Sequence, residues 1–463
     1  MVSLHLLSLL INLLKVGVYN IVSSSPLRLG IAGLGTVGAG VVRLLCEHAG
    51  LLKTRTGRLL QVVAVSARDR TRDRGIDVTG LQWYDNALDL VQDSNVDVIV
   101  ELIGGAEGVA RTLVEKALKA GKPVVTANKA LIALHGYELA MLSADYQAPL
   151  LFEAAVAGGI PAIKTVREGL AADRLLRIGG ILNGTCNHIL TVMRKTGQEF
   201  STVLKEAQDL GYAEADPSTD IDGLDAAHKL TILAGLAFGR PVAFDSVYVE
   251  GIRHIAAQDH IFAQHLGYRI KLLGLARKTQ NGLQAHVIPC LIPQYAPLAQ
   301  VDGVFNAVIA EGEFVGRIMI EGRGAGAGPT ASAVTADLVD IARGHAMTLW
   351  GVQSEVPEPV RACPISTGEA AFYLRLQVED RPGVIADITA VLRDYGISLQ
   401  SMLQYPAEKE TLSSAESYTS SYVPLVLVTH HLTSESAMQA AVAQIGALRV
   451  VTDTPVMIRI ETP

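Results

Sequence analysis

The segment "RLGIAGLGTVGAGVVRLL", beginning at Arg28, leaves this chain few folds to choose from. A short apolar strand runs into Gly33-Leu34-Gly35-Thr36-Val37-Gly38, a G-x-G-x-x-G turn, and then into helical spacing. In that setting the first glycine permits the tight turn, the second lets backbone approach a pyrophosphate, and the third allows helix and strand to pack closely. The helix N-terminus, starting at Thr36 and Val37, adds oriented N–H donors for the anion. The alternation continues: "LLQVVAVSAR", "VDVIVELIGG" and "KPVVTANK" read as further strands, with helices such as "VARTLVEKALKAG" between them. Each strand is a continuous apolar run, which predicts a parallel sheet covered on both faces. Residues 28–150 are therefore expected to form an α/β, doubly wound Rossmann domain that binds NAD or NADP.

The end of the second strand bears on the choice between those cofactors. An NAD-selective site carries an acid there for the ribose 2′-hydroxyl, whereas "VVAVSARDR" presents Ser66 and Arg68. Arg68 suits the 2′-phosphate of NADP, and neighbouring Asp69 keeps NAD possible.

Beyond the first domain, residues 151–345 mix strand and helix around glycines and are expected to form an α+β substrate domain. Its glycine-rich "EGRGAGAGPTASAV" precedes a helix that returns to the Rossmann domain. Pro357, Pro359 and Pro364 mark residues 346–368 as a linker. Residues 369–463 give the order βαββαβ of a ferredoxin-like domain, with the polar "AEKETLSSAESYTSS" inserted between the middle strands. Residues 1–27 form an N-terminal extension. Its apolar run lacks a basic n-region and is interrupted by His5, Asn12 and Lys15, so it reads as an extension or an upstream start, not as an export signal or a membrane span. A length of 463 residues suits two or three domains. The net charge of -7, with no Lys/Arg block, argues against nucleic acid as a partner. Cys46, Cys186, Cys290 and Cys363 show no CxxC or metal spacing, as expected of free thiols in a reducing cytoplasm.

The chemistry is expected in "GYAEADPSTDIDGLDAAHK", where Glu214, Asp216, Asp220, Asp222 and Asp225 precede Lys229 and a nearly uncharged helix. If that helix begins near Asp222, Asp225 and Lys229 stand at i and i+4 on one face. A surface salt bridge is one reading. The uncharged run from Leu230 to Phe238 favours another, a buried helix whose charged first turns line a cleft and exchange a proton with substrate.

At this point several motifs occur in the order of one family. "GLGTVG", "ELIGG", "VVTANKALIA", "FEAAVAGGIP", "GILNGTCNHIL", the acid cluster and "GAGAGPTASAV" together resemble homoserine dehydrogenase over residues 28–463. The resemblance implies interconversion of L-homoserine and L-aspartate 4-semialdehyde, in threonine, methionine and isoleucine biosynthesis. It implies that Lys229 donates the proton, that Glu214 and Asp225 hold substrate, and that Lys129 lies at cofactor and substrate. Gly211, Glu214 and Gly326 are implied as cofactor contacts. Glu153 and the carbonyls of Val156, Gly158 and Ile160 are implied as ligands of a monovalent cation, sodium in the family. The C-terminal domain resembles the ACT module, whose loop around Arg381, Pro382 and Gly383 implies L-threonine as an allosteric inhibitor. A homodimer or homotetramer is also implied. The domains read above are expected to leave no segment for an aspartate kinase domain.

Other residues read plainly. His254, His260 and His265 are spaced to miss a common helix face and are expected at helix surfaces, and Cys186 is expected to pack, not to react. A different amino-acid or aldehyde dehydrogenase, or a regulatory protein that has lost its chemistry, is disfavoured by the intact set Glu214, Asp225, Lys229 and Lys129.

Overall fold

The computed structural model describes residues 25–345, 347–352, 356–404, 422–430 and 432–462. Most of the N-terminal extension and the polar insertion around Glu408–Ser421 therefore lie outside the described residues. Six parallel strands, β1 (Leu27–Ala32), β2 (Leu60–Ser66), β3 (Gln82–Tyr84), β4 (Val98–Glu101), β5 (Val124–Thr126) and β6 (Leu150–Leu151), form a sheet in the order β3-β2-β1-β4-β5-β6. This is the expected doubly wound arrangement, with its crevice where the order reverses beside β1. The short edge strands β3 and β6 carry too few residues for a periodicity to mark them. Helices α1 (Thr36–Glu47), α2 (Val109–Lys119) and α3 (Lys129–Asp145) cross over between strands.

Two of the three motif glycines are fixed by space. Gly33 sits at φ 101°, and a Cβ there would meet the Leu102 carbonyl oxygen at 2.5 Å; a Cβ on Gly38 would lie 2.0 Å from the Gly33 oxygen.

Helix α4 (Gly184–Thr196) follows β7 (Leu175–Ile181), and α5 (Leu224–Phe238) is buried from Asp225 to Leu236 with only Ala227's neighbour His228 partly open. Its apolar side chains join one core with those of α2, α3 and the substrate-domain sheet. The sheet contains β7, β8 (Tyr268–Thr279), β9 (Gly282–Pro293), β10 (Phe305–Gly312) and β11 (Gly316–Arg323). As expected, the returning helix α7 (Ala327–Arg343), following Gly326, packs on α1: Ala331, Val334 and Leu338 share a core with Leu29, Val41 and Leu45.

The C-terminal domain has the expected βαββαβ order, with β12 (Glu369–Glu379), α8 (Val384–Asp394), β13 (Leu399–Gln404), β14 (Tyr422–Thr429), α9 (Glu435–Gly446) and β15 (Val456–Ile460). Its sheet does not stand apart. β15 pairs in parallel with β9, Cys290 opposite Arg459 and Leu291 opposite Ile460, so one sheet of 11 strands runs through both domains. Buried charges seal the junction: Arg459 pairs with Glu435 at 3.1 Å and with Glu461 at 3.0 Å, and Arg177 with Glu461 at 3.1 Å. Asp259 accepts from Tyr373 Oη at 2.8 Å and from Arg375 Nε at 2.7 Å. The proline-marked segment is likewise pinned, since Cys363 N donates to Leu283 O at 2.7 Å and Arg361 pairs with Asp245 at 3.0 Å.

One expectation is corrected here. His260 is not at the surface but 4% exposed, on the inward face of α6 (Ala257–His265), and burial pushes its imidazole down to about 4. His254 pairs with Glu250 at 3.2 Å ahead of that helix. Among the described residues no helix is long and apolar enough to cross a membrane.

Candidate active site

A cavity of about 590 Å³ opens where α1, α3, α4, α5 and the glycine loop before α7 converge. Towards the glycine turn the cavity wall includes several glycines. A Cβ placed on Gly35 would meet nothing within 4 Å, which leaves the α1 N-terminus open to an anion, whereas one on Gly326, at φ 119°, would touch Pro329 at 3.6 Å. Val37, Gly158, Gly211 and Gly326 line the cavity. A dinucleotide pyrophosphate fits this arrangement because the only glycine of the three that sterics do not demand faces open space.

The opposite wall carries the charges. Helix α5 starts at Leu224 and not at Asp222: Gly223, at φ 87°, turns the chain into the helix, and Asp222 points away to Arg253, with a second contact at 3.0 Å. Asp225 and Lys229 lie one turn apart as expected, Lys229 Nζ donating to Asp225 Oδ2 at 2.7 Å. Lys229 Nζ also donates to the Leu182 carbonyl at 2.8 Å. Lys129 reaches the other oxygen of Asp225 at 3.2 Å. It is positioned from the "TANK" turn, where Asn128 caps α3 by accepting from Leu131 N at 3.1 Å and donates to Gly105 O at 2.7 Å. Burial alone would raise the Asp225 carboxyl. The charges of Lys229 and Lys129, with hydrogen bonds from Lys229 and Asn183, outweigh it and hold the group far below the usual carboxylate range.

An ammonium has three N–H donors. Among the described residues, two of those on Lys229 are spent on Asp225 and Leu182, leaving one for the cavity. The arrangement can therefore deliver a proton to an oxygen bound there, with Asp225 fixing the direction of delivery.

Sequence reasoning missed Asn183 and the placement of Asp220. Asn183 Nδ2 donates to Asp220 at 2.7 Å and to Asp225 at 2.8 Å, while its Oδ1 caps α4 through Cys186 N at 2.8 Å. The available signal was an Asn at a strand-to-helix junction, which marks a cap. Cys186 packs as expected: it is buried, its Sγ contacts the Asp220 carbonyl at 3.1 Å, and burial pushes its thiol up.

Three expected residues are not gathered into this cluster. Glu214 is exposed; Gln208 Nε2 donates to its carbonyl at 3.0 Å and to that of Ala215 at 3.2 Å, which holds the loop against the preceding helix with the carboxylate in water. Gly383 starts α8 in the separate C-terminal core, at φ 96°, and a Cβ there would meet nothing within 4 Å. Arg68 is exposed just past β2, with no hydrogen bond or ion pair to the described residues, whereas Asp69 is tied into its own turn by Thr71 N at 2.8 Å and Thr71 Oγ1 at 2.7 Å. Arg74, unremarked in the sequence, links this segment to the glycine turn by donating to Leu34 O at 3.0 Å.

The implied cation ligands form a turn with two consecutive left-handed residues, Ala157 and Gly158, at φ 54° and 51°. Glu153 is buried there, but its two oxygens accept Ile163 N and Lys164 N, each at 2.9 Å, and Ile160 O accepts Ala162 N at 2.7 Å. The carboxylate is thus engaged in capping a helix, and a cation cradle would depend on the carbonyls of Val156 and Gly158. Burial pushes Glu153 up to about 6; burial together with the Glu153 charge pushes Asp337 up to about 8.

The chain is similar to known proteins over most of its length. Protein-family models match residues 161–339 (homoserine dehydrogenase), 33–153 (homoserine dehydrogenase, NAD binding domain) and 372–445 (ACT domain). The chain is 44% identical to a homoserine dehydrogenase of Pseudomonas aeruginosa over 444 residues, covering 94% of this chain and 99% of the relative. A crystal structure of a homoserine dehydrogenase from Thiobacillus denitrificans superposes with a TM-score of 0.86 at 44% identity, covering 94% and 98% of the two chains. A hyperthermophilic archaeal homoserine dehydrogenase in complex with NADPH is similar over 68% of this chain and 97% of its own, with a TM-score of 0.58 and 27% identity.

Proposed function

The chain belongs to the homoserine dehydrogenase family, an NAD(P)-dependent oxidoreductase with an ACT domain, and from that premise we propose how its residues divide the work. The reaction interconverts L-homoserine and L-aspartate 4-semialdehyde. Bound NAD(P)(H) supplies or takes the hydride. Reduction of the aldehyde leaves an oxygen that must gain a proton, and Lys229 donates it through its one N–H not already engaged. The observation that carries the assignment is the hold of Asp225 and Leu182 O on Lys229 Nζ at the cavity wall. In oxidation Lys229, having lost a proton, takes one from the hydroxyl. Lys129 shares the Asp225 carboxylate and keeps a second cation at the cavity, suited to the substrate oxygen or carboxylate. The resemblance alone speaks for Glu214 as a substrate contact, for sodium at the Glu153 turn, and for a homodimer or homotetramer.

Arg68 is assigned to the 2′-phosphate, which makes NADP the preferred cofactor. Its freedom supports this, since Asp69 beside it is held by Thr71. In an initial-rate assay with L-homoserine, Arg68→Ala should raise KM for NADP about tenfold and leave that for NAD nearly unchanged, as expected for one charge-assisted contact. Equal losses with both cofactors would make the arginine structural, and no homoserine-dependent rate in wild type would remove the function itself.

L-Threonine is assigned as an inhibitor acting at the Gly383 turn. Open space at Gly383 and the N-terminus of α8 suit an amino-acid carboxylate. Continuity of the sheet from β12 through β15 to β9 gives the effector a route to the substrate domain. Gly383→Asp, which places a carboxylate at that turn, should shift threonine inhibition at least about fivefold to higher concentration while leaving the uninhibited rate intact. An unchanged inhibition curve would place the effector elsewhere.

A further inference from the structure

Asn306 is the second residue of β10, is 1% exposed and lines the cavity, yet among the described residues neither its Oδ1 nor its Nδ2 has a hydrogen-bond partner. Buried amides are nearly always paired, so an amide with both ends unpaired in the wall of a binding cavity calls for a ligand that pairs it. Backbone packs directly against its amide. A Cβ on Gly324 would meet Asn306 Oδ1 at 1.9 Å, and one on Gly184 would meet it at 3.4 Å. The two residues flanking the amide thus lack side chains, and any other residue at 324 would collide with it. Its placement is otherwise firm: Asn187 Nδ2 donates to Val301 O and to Phe305 O, each at 3.1 Å, fixing the segment that enters β10.

Resting on the NAD(P) reading above, we propose that Asn306 contacts the cofactor by pairing with the carboxamide of the nicotinamide ring. The group that pairs it must both donate and accept. A carboxylate can only accept and would leave Oδ1 unpaired; an ammonium can only donate and would leave Nδ2 unpaired. A primary carboxamide offers one acceptor and one donor side by side, the complement of Asn306. Pairing orients the ring, and hence the face from which hydride passes, so Asn306 acts as a positioning residue as well as a binding one. The contact forms as the loop Gly324–Gly326 gives way to the entering ring.

The test is a binding measurement that needs no turnover. NADP and its 3-acetylpyridine analogue, which replaces the carboxamide NH2 by methyl, are titrated calorimetrically into wild type, Asn306→Leu and the smaller Asn306→Ala. Wild type should bind the analogue about tenfold more weakly than NADP, because Asn306 Oδ1 loses its donor. Both variants should bind the two cofactors with equal affinity, and thermal unfolding of Asn306→Leu should occur at or above the wild-type temperature, since a buried unpaired amide has been removed. A discrimination between the two cofactors that is the same in wild type and in either folded variant would overturn the assignment. Failure of wild type to bind NADP at all would instead count against the NAD(P) reading on which it rests.

Discussion

Lys229→Ala is expected to lower kcat by roughly a hundred- to ten-thousand-fold, the range for loss of a positioned general acid, while the Kd for NADPH changes little. The two effects separate because of where the side chain lies. Its ammonium is bound to Asp225 and Leu182 O on the wall opposite the glycine turn, so removal deprives the alcohol oxygen of its proton without touching the dinucleotide cradle. Lys129 remains on the other oxygen of Asp225 and keeps the carboxylate from being left unpaired. Steady-state rates together with NADPH fluorescence titration check this, and a variant with a near-normal rate would exclude Lys229 as the donor.

Asp225→Asn should cost both activity and stability. Asp225 is 5% exposed and neutralises two ammonium groups, so the substitution leaves Lys229 and Lys129 facing each other with no counter-charge. Breaking a buried pair in this way typically costs about 3–5 kcal/mol. The sign of the pH dependence follows from the direction of the shift. Because Lys229 and Lys129 hold the folded-state carboxyl far below its unfolded value, the stabilisation is fully present above that value, near pH ~4, and is lost as pH falls further. The gap in urea midpoint between wild type and variant should be constant near neutrality and narrow progressively below about pH 4. A gap independent of pH down to the acid limit would mean that the carboxylate is not held by these charges.

Much of this was legible in the sequence, for a local reason. Gly38 is demanded by a contact within a single strand–turn–helix unit, Gly33 by the positive φ of its own turn as well as by Leu102, and Asp225 and Lys229 meet because a helix brings i and i+4 together. What was not legible depends on distant segments. Asn183 reaches Asp220 and Asp225 from 37 and 42 residues away. Asn306 is unremarkable until Gly184 and Gly324 are folded against it. The parallel pairing of β15 with β9 joins the end of the chain to the substrate domain with no periodic signal, so a proline-marked boundary suggested a separate module where one sheet runs through both. Glu214, whose role is implied by the family resemblance, lies on a loop tied back by Gln208, with its side chain exposed.

Chemical rescue of Lys229→Ala tests the role of Lys229 most directly. Small primary alkylammonium ions added to the variant, with NADPH and L-aspartate 4-semialdehyde, should restore part of the lost reduction rate. The restored rate should rise with the acidity of the ammonium, because the added ion supplies the proton that the side chain no longer provides. Wild type, whose donor is in place, should not respond. Equal acceleration of wild type and variant, or a variant whose rate is high without any amine, would contradict the assignment of Lys229 as the proton donor.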